Sequence, residues 1–319
     1  MEIFTETLTF FSSVALLALA SQLVIKNAAK LARITGLGEV VIGFILLSVS
    51  TSMPEISVAI FSVLTKNVGI SIGDLFGANV INICLIIALG ILVSKKPIKI
   101  KKEEITNLSL LLFFASLIPL ALIFVGELGF LVGILLLAFF FGFCLFSIKR
   151  RIGLREKNEK KNDIAKPLVW LLFGLFFLVY SAMFVVNSAS VISELTGISQ
   201  SVIGASIVAL STTLPELSVC LTAIKEGHPH LTLGDTIGSC VTNITLILGL
   251  VLILSEFRVS VAAFSTIALF ASFSALVLWY FMKNRLLTRK EGFFLILIFF
   301  IYMLSIYGVI TLERMFFLG

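Results

Sequence analysis

The stretch that decides the fold is STSMPE at residues 50–55, which is followed by GDLFGANVIN at residues 73–82. The chain carries a second copy, STTLPE at residues 211–216 and GDTIGSCVTN at residues 234–243, and every matched pair lies 161 positions apart. Each copy places one glutamate inside an apolar run, where a charge is costly. The duplication therefore predicts two halves that share a paired site for a cation.

The composition is that of an integral membrane protein. Of the 319 residues, 59% are hydrophobic and 13% are charged, and the mean hydropathy is +1.14. Apolar runs repeatedly reach about 20 residues, the length that a helix needs to cross a bilayer. We therefore predict an all-α integral membrane protein with ten transmembrane helices, near residues 3–25, 38–65, 69–93, 104–125, 128–148, 168–190, 199–224, 230–254, 259–282 and 292–312.

The basic residues predict the orientation of these spans. Of 24 Lys and Arg residues, 21 lie in loops after odd-numbered spans, and only Lys66, Arg258 and Arg314 lie on the opposite side. Basic loops stay in the cytoplasm, so both termini are predicted to lie outside. The net charge of +6 is thus a topology signal and indicates a lipid bilayer as partner, not nucleic acid.

A single long polar linker divides the chain. Residues 149–167 form this basic, cytoplasmic linker between an N-terminal half at residues 1–148 and a C-terminal half at residues 168–319. The first repeat is predicted at about residues 35–92 and the second at about residues 196–253. Each half has five spans, an odd number, so the two five-helix repeats are predicted to be inverted in the membrane.

The duplication extends well beyond the two motifs. Residues 41–90 and 202–251 share 18 identical positions out of 50, whereas the loop charges are not repeated. Opposite sidedness predicts this pattern, because the topology signal must differ while the buried site stays alike. Inverted repeats provide two similar gates around one midplane site, the arrangement used for alternating access.

Each motif offers oxygen ligands and no sulfur or imidazole. Pro54 and Pro215 lack a backbone donor and are predicted to break their helices. The break would free carbonyl oxygens around residues 48–52 and 209–213, and broken backbone at this depth must line a cavity or lie within protein. Thr51 precedes Glu55 by four residues, as Thr212 precedes Glu216, so each hydroxyl shares a helix face with its carboxylate. Such a set fits Ca²⁺ or Na⁺ and not zinc or copper.

The second element of each copy is expected to supply the partner helix. Gly73 with Gly77, and Gly234 with Gly238, have the spacing that lets helices approach closely in lipid. The remaining polar positions of this element divide by depth. Asn82 and Asn243 lie near mid-span and are predicted to face the glutamates, whereas Asp74 and Asp235 are predicted at span ends, as N-caps or as an ion relay.

The paired Ser/Thr-x-Pro-Glu and Gly-x-x-x-Gly-x-x-x-x-Asn motifs resemble the two alpha repeats of the sodium/calcium exchanger family, within the cation/calcium antiporter superfamily, in its prokaryotic type. The resemblance covers both halves. It implies that Glu55 and Glu216 bind both Ca²⁺ and Na⁺ and that the first and sixth spans slide against the other eight. It further implies supporting ligands at Thr51, Thr212, Ser52, Thr213, Ser239, Asn82 and Asn243, and at the carbonyls of Ser48 and Ala209.

Three departures from the family pattern concern the site itself. Ala78 stands where the family usually has a serine, so one Na⁺ position loses a hydroxyl. Asn243 stands where prokaryotic and potassium-dependent relatives often carry aspartate, so a neutral amide argues against potassium dependence and leaves two central carboxylates instead of three. Asp74 and Asp235 replace the commoner asparagine.

We predict a secondary antiporter that exchanges Na⁺ for Ca²⁺, needs no cofactor and works as a monomer in a prokaryotic cell membrane. A Ca²⁺/H⁺ or other divalent-cation antiporter on the same fold is the alternative, since protonation of the same glutamates needs no new residue. Inverted halves favour an exchanger over a channel, whose repeats usually surround an axis along the membrane normal. No His-Glu-x-x-His or Gly-x-Ser-x-Gly motif indicates an enzyme.

Overall fold

A computed structural model describes residues 2–35, 48–100, 102–125, 127–149, 164–225, 229–255, 259–260 and 264–317. The first part of the predicted span at residues 38–65 and most of the predicted linker lie outside the described residues. What is described is helical apart from four strands of two residues each.

The helices of the first half are α1 (Glu2–Thr35), α2 (Ser48–Thr51), α3 (Met53–Leu64), α4 (Val68–Ile81), α5 (Ala88–Val93), α6 (Lys102–Val125) and α7 (Phe130–Lys149), with the π-helical turn π1 (Asn82–Ile87) between α4 and α5. Those of the second half are α8 (Ala165–Thr196), α9 (Gln200–Ile203), α10 (Ala209–Thr212), α11 (Leu214–Lys225), α12 (Pro229–Thr242), α13 (Leu248–Leu254), α14 (Ser265–Lys283) and α15 (Arg289–Phe317), with π2 (Gly204–Val208) after α9 and π3 (Asn243–Ile247) after α12.

The duplicated sequence forms duplicated structure. Helices α2, α3 and α4 begin and end 161 residues before α10, α11 and α12, and π1 and π3 also begin 161 residues apart. The π turns start at Asn82 and Asn243, two of the predicted ligands. Because π turns interrupt the regular ladder of helical hydrogen bonds, they are frequent at functional sites.

Short antiparallel strands connect the two halves reciprocally. The strand β1 (Ile98–Lys99) pairs with β4 (Leu286–Leu287), and β2 (Glu127–Leu128) pairs with β3 (Val259–Ser260). In each pair one strand comes from the first half and one from the second. Such reciprocal pairing is expected if a two-fold axis relates the two halves.

Six described helical segments are long and apolar enough to cross a membrane. They are Ile3–Val24, Val68–Val93, Ala165–Thr196, Thr232–Leu254, Ser265–Lys283 and Arg289–Gly308. A seventh crossing results if α9 to α11 form one span bent by 41°, and the described residues contain three shorter apolar segments, Met53–Leu64, Leu110–Val125 and Phe130–Leu145. The chain is thus a multi-pass membrane protein, and the count of ten spans stays a prediction.

The apolar interior separates into two main cores. The larger core draws on α4 to α7 and on α12 to α15, with Phe76, Ile83 and Leu248 fully buried at its centre. The second core draws on α1 and α8, which contact each other more extensively than any other pair of described elements, and also on α3, α4, α9 and π2. Leu17 of α1 and Leu178 of α8 are fully buried there. This core therefore joins the pair α1–α8 to the helices around it.

The predicted close approach of the glycines is present in the first copy. A Cβ added to Gly73 would lie 2.2 Å from the carbonyl oxygen of Ser201, and one added to Gly77 would lie 2.5 Å from that of Ala205. Only glycine lets α4 approach α9 and π2 this closely. In the second copy the equivalent partners are residues 40 and 44, which lie outside the described residues, so the close approach of Gly234 stays a prediction.

Candidate functional site

Two broken helices place the glutamates. Helix α2 ends at Thr51 and α3 begins at Met53, with Pro54 in its first turn, and the second copy repeats this break between Thr212 and Leu214. A proline is tolerated in the first turn of a helix, because the backbone N–H groups there have no partner within the helix. Glu55 and Glu216 thus lie in the first turn of a new helix, where the helix dipole favours a negative charge. The predicted break is confirmed in both copies.

Both glutamates are enclosed by protein and lack hydrogen-bond donors. Glu55 and Glu216 are 0% exposed, and none of their four carboxylate oxygens has a hydrogen-bond partner among the described residues. The two side chains lie within electrostatic range of each other. A buried carboxylate is unfavourable unless a charge or donors compensate it, and two neighbouring ones repel each other. A bound cation would compensate the negative charge of both carboxylates.

The aspartates lie inside the site, and the N-cap role predicted for them is wrong. Helix α4 begins at Val68, so Asp74 lies in its second turn, and Asp235 has the same place in α12. An N-cap precedes the first turn, so this position excludes that role. Both aspartates are buried, at 0% and 1% exposure. The predicted span starts, residues 69 and 230, lie within one residue of the helix starts, and the burial comes from packing between the two copies.

A threonine of the opposite copy binds each aspartate. The Thr212 hydroxyl donates to Oδ1 of Asp74 over 2.9 Å, and the Thr51 hydroxyl lies 3.3 Å from Oδ1 of Asp235. The Oδ2 atoms of Asp74 and Asp235 have no hydrogen-bond partner in the described part of the chain. These contacts join the two repeats at the predicted ligands themselves.

The other hydroxyl positions differ between the copies. Thr51 Oγ1 lies 3.0 Å from Ser239 Oγ, whereas Ala78, the counterpart of Ser239, is buried and offers no hydroxyl. The hydroxyl of Ser52 is buried without a partner among the described residues, while that of Thr213 donates to the Ala209 carbonyl over 2.8 Å. The two halves of the site are thus related but chemically unequal.

The carbonyls that were predicted to be freed are engaged in this conformation. Ser48 O accepts from the backbone N–H of Ser52 at 3.1 Å, and Ala209 O accepts from that of Thr213 at 3.1 Å. The Thr51 and Thr212 hydroxyls lie 3.2 and 3.3 Å from the same two oxygens. The helical ladder continues to these residues because the proline removes a donor only further along the chain. The expectation of free carbonyls at Ser48 and Ala209 is therefore wrong here.

The asparagines lie where the two halves contact each other. Asn82 is buried with neither amide atom hydrogen-bonded among the described residues, and Asn243 donates to Oδ1 of Asn79 over 3.2 Å. Asn79 in turn donates to the carbonyl of Cys240 over 3.0 Å, and the two residues are 161 positions apart. Residues at equivalent positions of the two copies are thus in direct contact. Sequence reasoning missed Asn79 and Cys240, although their equivalent positions beside the ligands were a usable signal.

The polar groups gather in two neighbouring clusters. The first contains Glu55, Asp74 and Thr212, and the second contains Glu216, Asp235, Thr51 and Ser239. Nowhere in the described ranges do three His, Cys, Asp or Glu side chains converge on one point. Each cluster therefore presents at most two carboxylates, and hydroxyl or amide oxygens would complete the coordination of a hard cation.

A membrane fold with buried, oxygen-lined carboxylates at two equivalent helix breaks defines a cation transporter. The profile of the sodium/calcium exchanger protein family matches residues 5–149 and 166–308, so the chain belongs to this family. The family consists of exchangers, not enzymes, and the chain is a cation/calcium antiporter by this membership.

Relatives and solved structures agree with the family assignment. The uncharacterized membrane protein MJ0091 of Methanocaldococcus jannaschii is 30% identical over 237 residues, which are 74% of this chain and 77% of that protein. The sodium/calcium exchanger MaX1 of Methanosarcina acetivorans is 25% identical over 332 residues, covering 89% and 93%. A structure of the sodium-calcium exchanger NCX_Mj soaked with Na⁺ and Sr²⁺ superposes with a TM-score of 0.70 at 26% identity, over 95% of this chain and 99% of that one.

Proposed function

We propose that the protein exchanges Na⁺ for Ca²⁺ by alternating access, with Glu55 and Glu216 as the shared ligands. One observation carries this proposal: the two glutamates are fully buried at equivalent breaks, and their carboxylate oxygens have no donor in the described structure. One Ca²⁺ or two Na⁺ would neutralise the pair. Because either ion relieves the same repulsion, the two compete for the site, and exchange follows from this competition.

The surrounding oxygens are proposed as supporting ligands. Thr51 and Thr212 lie beside the glutamates of the opposite copy, as their contacts with both clusters indicate. Ser52, Thr213 and Ser239, with the carbonyls of Ser48 and Ala209, are proposed to contribute to Na⁺ positions, and Asn82 and Asn243 to line the centre. The engaged hydroxyls and carbonyls would have to turn from their present hydrogen bonds toward the ion.

The architecture is proposed to be that of ten spans in two inverted five-helix halves with both termini outside. The duplicated helices, the reciprocal strand pairs and the basic loops support this arrangement. The extensive contact between α1 and α8 supports a joint sliding movement of these two helices against the remainder. We further propose residues 149–167 as a cytoplasmic linker, a functional monomer without cofactor, and a prokaryotic cell membrane as location.

The coupling ion is the point to test first, because a Ca²⁺/H⁺ antiporter on the same fold would use the same glutamates. The purified protein is reconstituted into vesicles, and ⁴⁵Ca²⁺ uptake is measured with an outward Na⁺ gradient or an outward H⁺ gradient. We expect uptake to follow the Na⁺ gradient. Uptake that ignores Na⁺ and follows the H⁺ gradient would replace the Na⁺-coupled exchanger by the proton-coupled one.

A further inference from the structure

The unequal clusters contain an unexplained pair of carboxylates. Asp74 and Asp235 are buried, each retains an oxygen without a hydrogen-bond partner, and within the described residues neither pairs with Lys or Arg. Membrane interiors tolerate such groups only where function or pairing compensates their cost. The hydrogen bonds from Thr212 and Thr51 use only the Oδ1 atoms of Asp74 and Asp235. A purely structural role does not explain the Oδ2 atoms.

The second cluster shows which positions face the same point. The Thr51 hydroxyl lies 3.3 Å from Asp235 Oδ1 and 3.0 Å from Ser239 Oγ. Asp235 and Ser239 are four residues apart on α12, hence on one face of the helix and one turn apart. A single oxygen thus reaches both side chains, so that their polar atoms converge on one small volume.

In the first cluster the same face carries Asp74 and Ala78 on α4. The Thr212 hydroxyl has lost the partner that Ser239 provides to Thr51, and it lies 2.9 Å from Asp74 Oδ1, closer than Thr51 lies to Asp235. A hydroxyl has one proton, and donation to the aspartate leaves the lone pairs of Thr212 for a cation. By equivalence with the second cluster, the Asp74 carboxylate borders the volume that a hydroxyl at position 78 would enter.

The geometry points to Asp74 as the cation ligand that replaces the missing hydroxyl at Ala78, which makes the two Na⁺ positions unequal. The first position is formed by Glu55, Asp74 and Thr212 and depends on its aspartate. The second is formed by Glu216, Asp235, Thr51 and Ser239, where a hydroxyl shares the task. This inference rests on the proposed Na⁺-coupled function and assigns to each aspartate a different importance.

The test compares Asp74→Asn with Asp235→Asn in the full chain. Na⁺ is titrated into purified protein in detergent and the thermal stabilisation gives an apparent affinity, since a ligand that binds the native state raises its stability. We expect Asp74→Asn to weaken Na⁺ binding about ten-fold and Asp235→Asn about three-fold, because only the second cluster keeps a hydroxyl that supports the cation.

Two reciprocal exchanges connect the effect to the hydroxyl. Ala78→Ser in the Asp74→Asn background is expected to restore part of the Na⁺ affinity. Ser239→Ala in the Asp235→Asn background is expected to enlarge the loss to about the ten-fold of Asp74→Asn. Should Asp74→Asn not yield folded protein, the Ser239→Ala series tests the same dependence from the second cluster.

Equal effects of the two asparagine variants, or a serine at position 78 that restores nothing, would overturn the role of Asp74. The same is true if Ser239→Ala leaves the effect of Asp235→Asn unchanged. The binding measurement is independent of transport. A protein that follows this Na⁺-binding pattern but takes up no Ca²⁺ in a Na⁺ gradient would refute the proposed exchange and leave the assignment of Asp74 in place.

Discussion

The two clusters at the centre of the molecule have the same plan and differ in one hydroxyl. Each combines a glutamate and an aspartate of one copy with a threonine of the other, but Ser239 in the second cluster faces Thr51 where the first has only Ala78. Duplication has thus preserved the framework of the site, while a single ligand position has changed in one copy. How far the two clusters are equivalent can be tested by matched substitutions.

The largest effect is expected from the feature that the clusters share. Glu55→Gln and Glu216→Gln each remove one of the two buried carboxylates proposed to hold the transported ion, and each is expected to abolish ⁴⁵Ca²⁺ uptake into vesicles while the protein remains folded. Glu194→Gln, which changes an exposed glutamate of α8 in the same way, is the matched control and should transport normally. Transport retained by either buried variant would remove the assignment of the site.

Packing at the matched glycines is the next test of equivalence. Gly73→Ala places a Cβ 2.2 Å from the Ser201 carbonyl oxygen. We expect this variant to destabilise the protein by about 1–3 kcal/mol, because helix backbones must separate. Gly234→Ala is expected to cost a similar amount, because the second copy repeats the Gly-x-x-x-Gly spacing. Thermal unfolding in detergent measures both. A much smaller loss from Gly234→Ala would show that the second copy packs less closely than the first.

The two threonines are expected to differ in their effect on Na⁺ affinity. Thr212→Val removes the hydroxyl that donates to Asp74, while after Thr51→Val Ser239 still places a hydroxyl in the second cluster. Thr212→Val leaves the first cluster without a hydroxyl ligand, and a lost interaction with a charged group is worth about 1.5–3 kcal/mol, so it is expected to reduce Na⁺ affinity several-fold more than Thr51→Val. The thermal-shift titration with Na⁺ compares them. A greater loss from Thr51→Val would reverse the proposed order of the clusters.

The smallest change is Ala78→Ser alone, which makes the first cluster resemble the second. The added hydroxyl is expected to bring a modest gain in Na⁺ affinity, worth about 1 kcal/mol or less, since Asp74 already serves that position. Na⁺-dependent thermal stabilisation provides the measurement, with Ala59→Ser, a buried alanine outside the clusters, as control. A ten-fold gain would mean that Asp74 does not substitute for the hydroxyl.

The parts of the fold that hydropathy controls were predicted closely from the sequence. The predicted spans at residues 69–93 and 230–254 correspond to the helical segments Val68–Val93 and Thr232–Leu254. Helix α1 instead runs to Thr35, beyond the predicted end at residue 25, because residues 26–35 are rich in the strong helix formers Ala, Leu, Lys and Arg. Apolar length thus indicates the crossing but not the ends of the helix.

The local chemistry of the site was also predictable, whereas its connections were not. The breaks at Pro54 and Pro215 follow from the missing backbone donor, and the buried glutamates follow from their place beside these breaks. The contacts of Thr212 with Asp74 and of Asn79 with Cys240 depend on how one copy packs against the other. No spacing within a single copy contains that information, so the N-cap role was wrongly allowed for two aspartates that each contact a threonine of the other copy.

The reciprocal strands have a mechanical consequence. The strand β1 precedes α6 and β2 follows it, so the two strand pairs lie at opposite ends of a helix of 24 residues, about 36 Å long. The two strand pairs therefore link one half of the chain to the other by backbone hydrogen bonds at both ends of α6. A shear between the halves would break the hydrogen bonds of both strand pairs together. Helices α1 and α8 are not adjacent in sequence to any of these strands, so the strand pairs would not oppose the sliding proposed for these two helices.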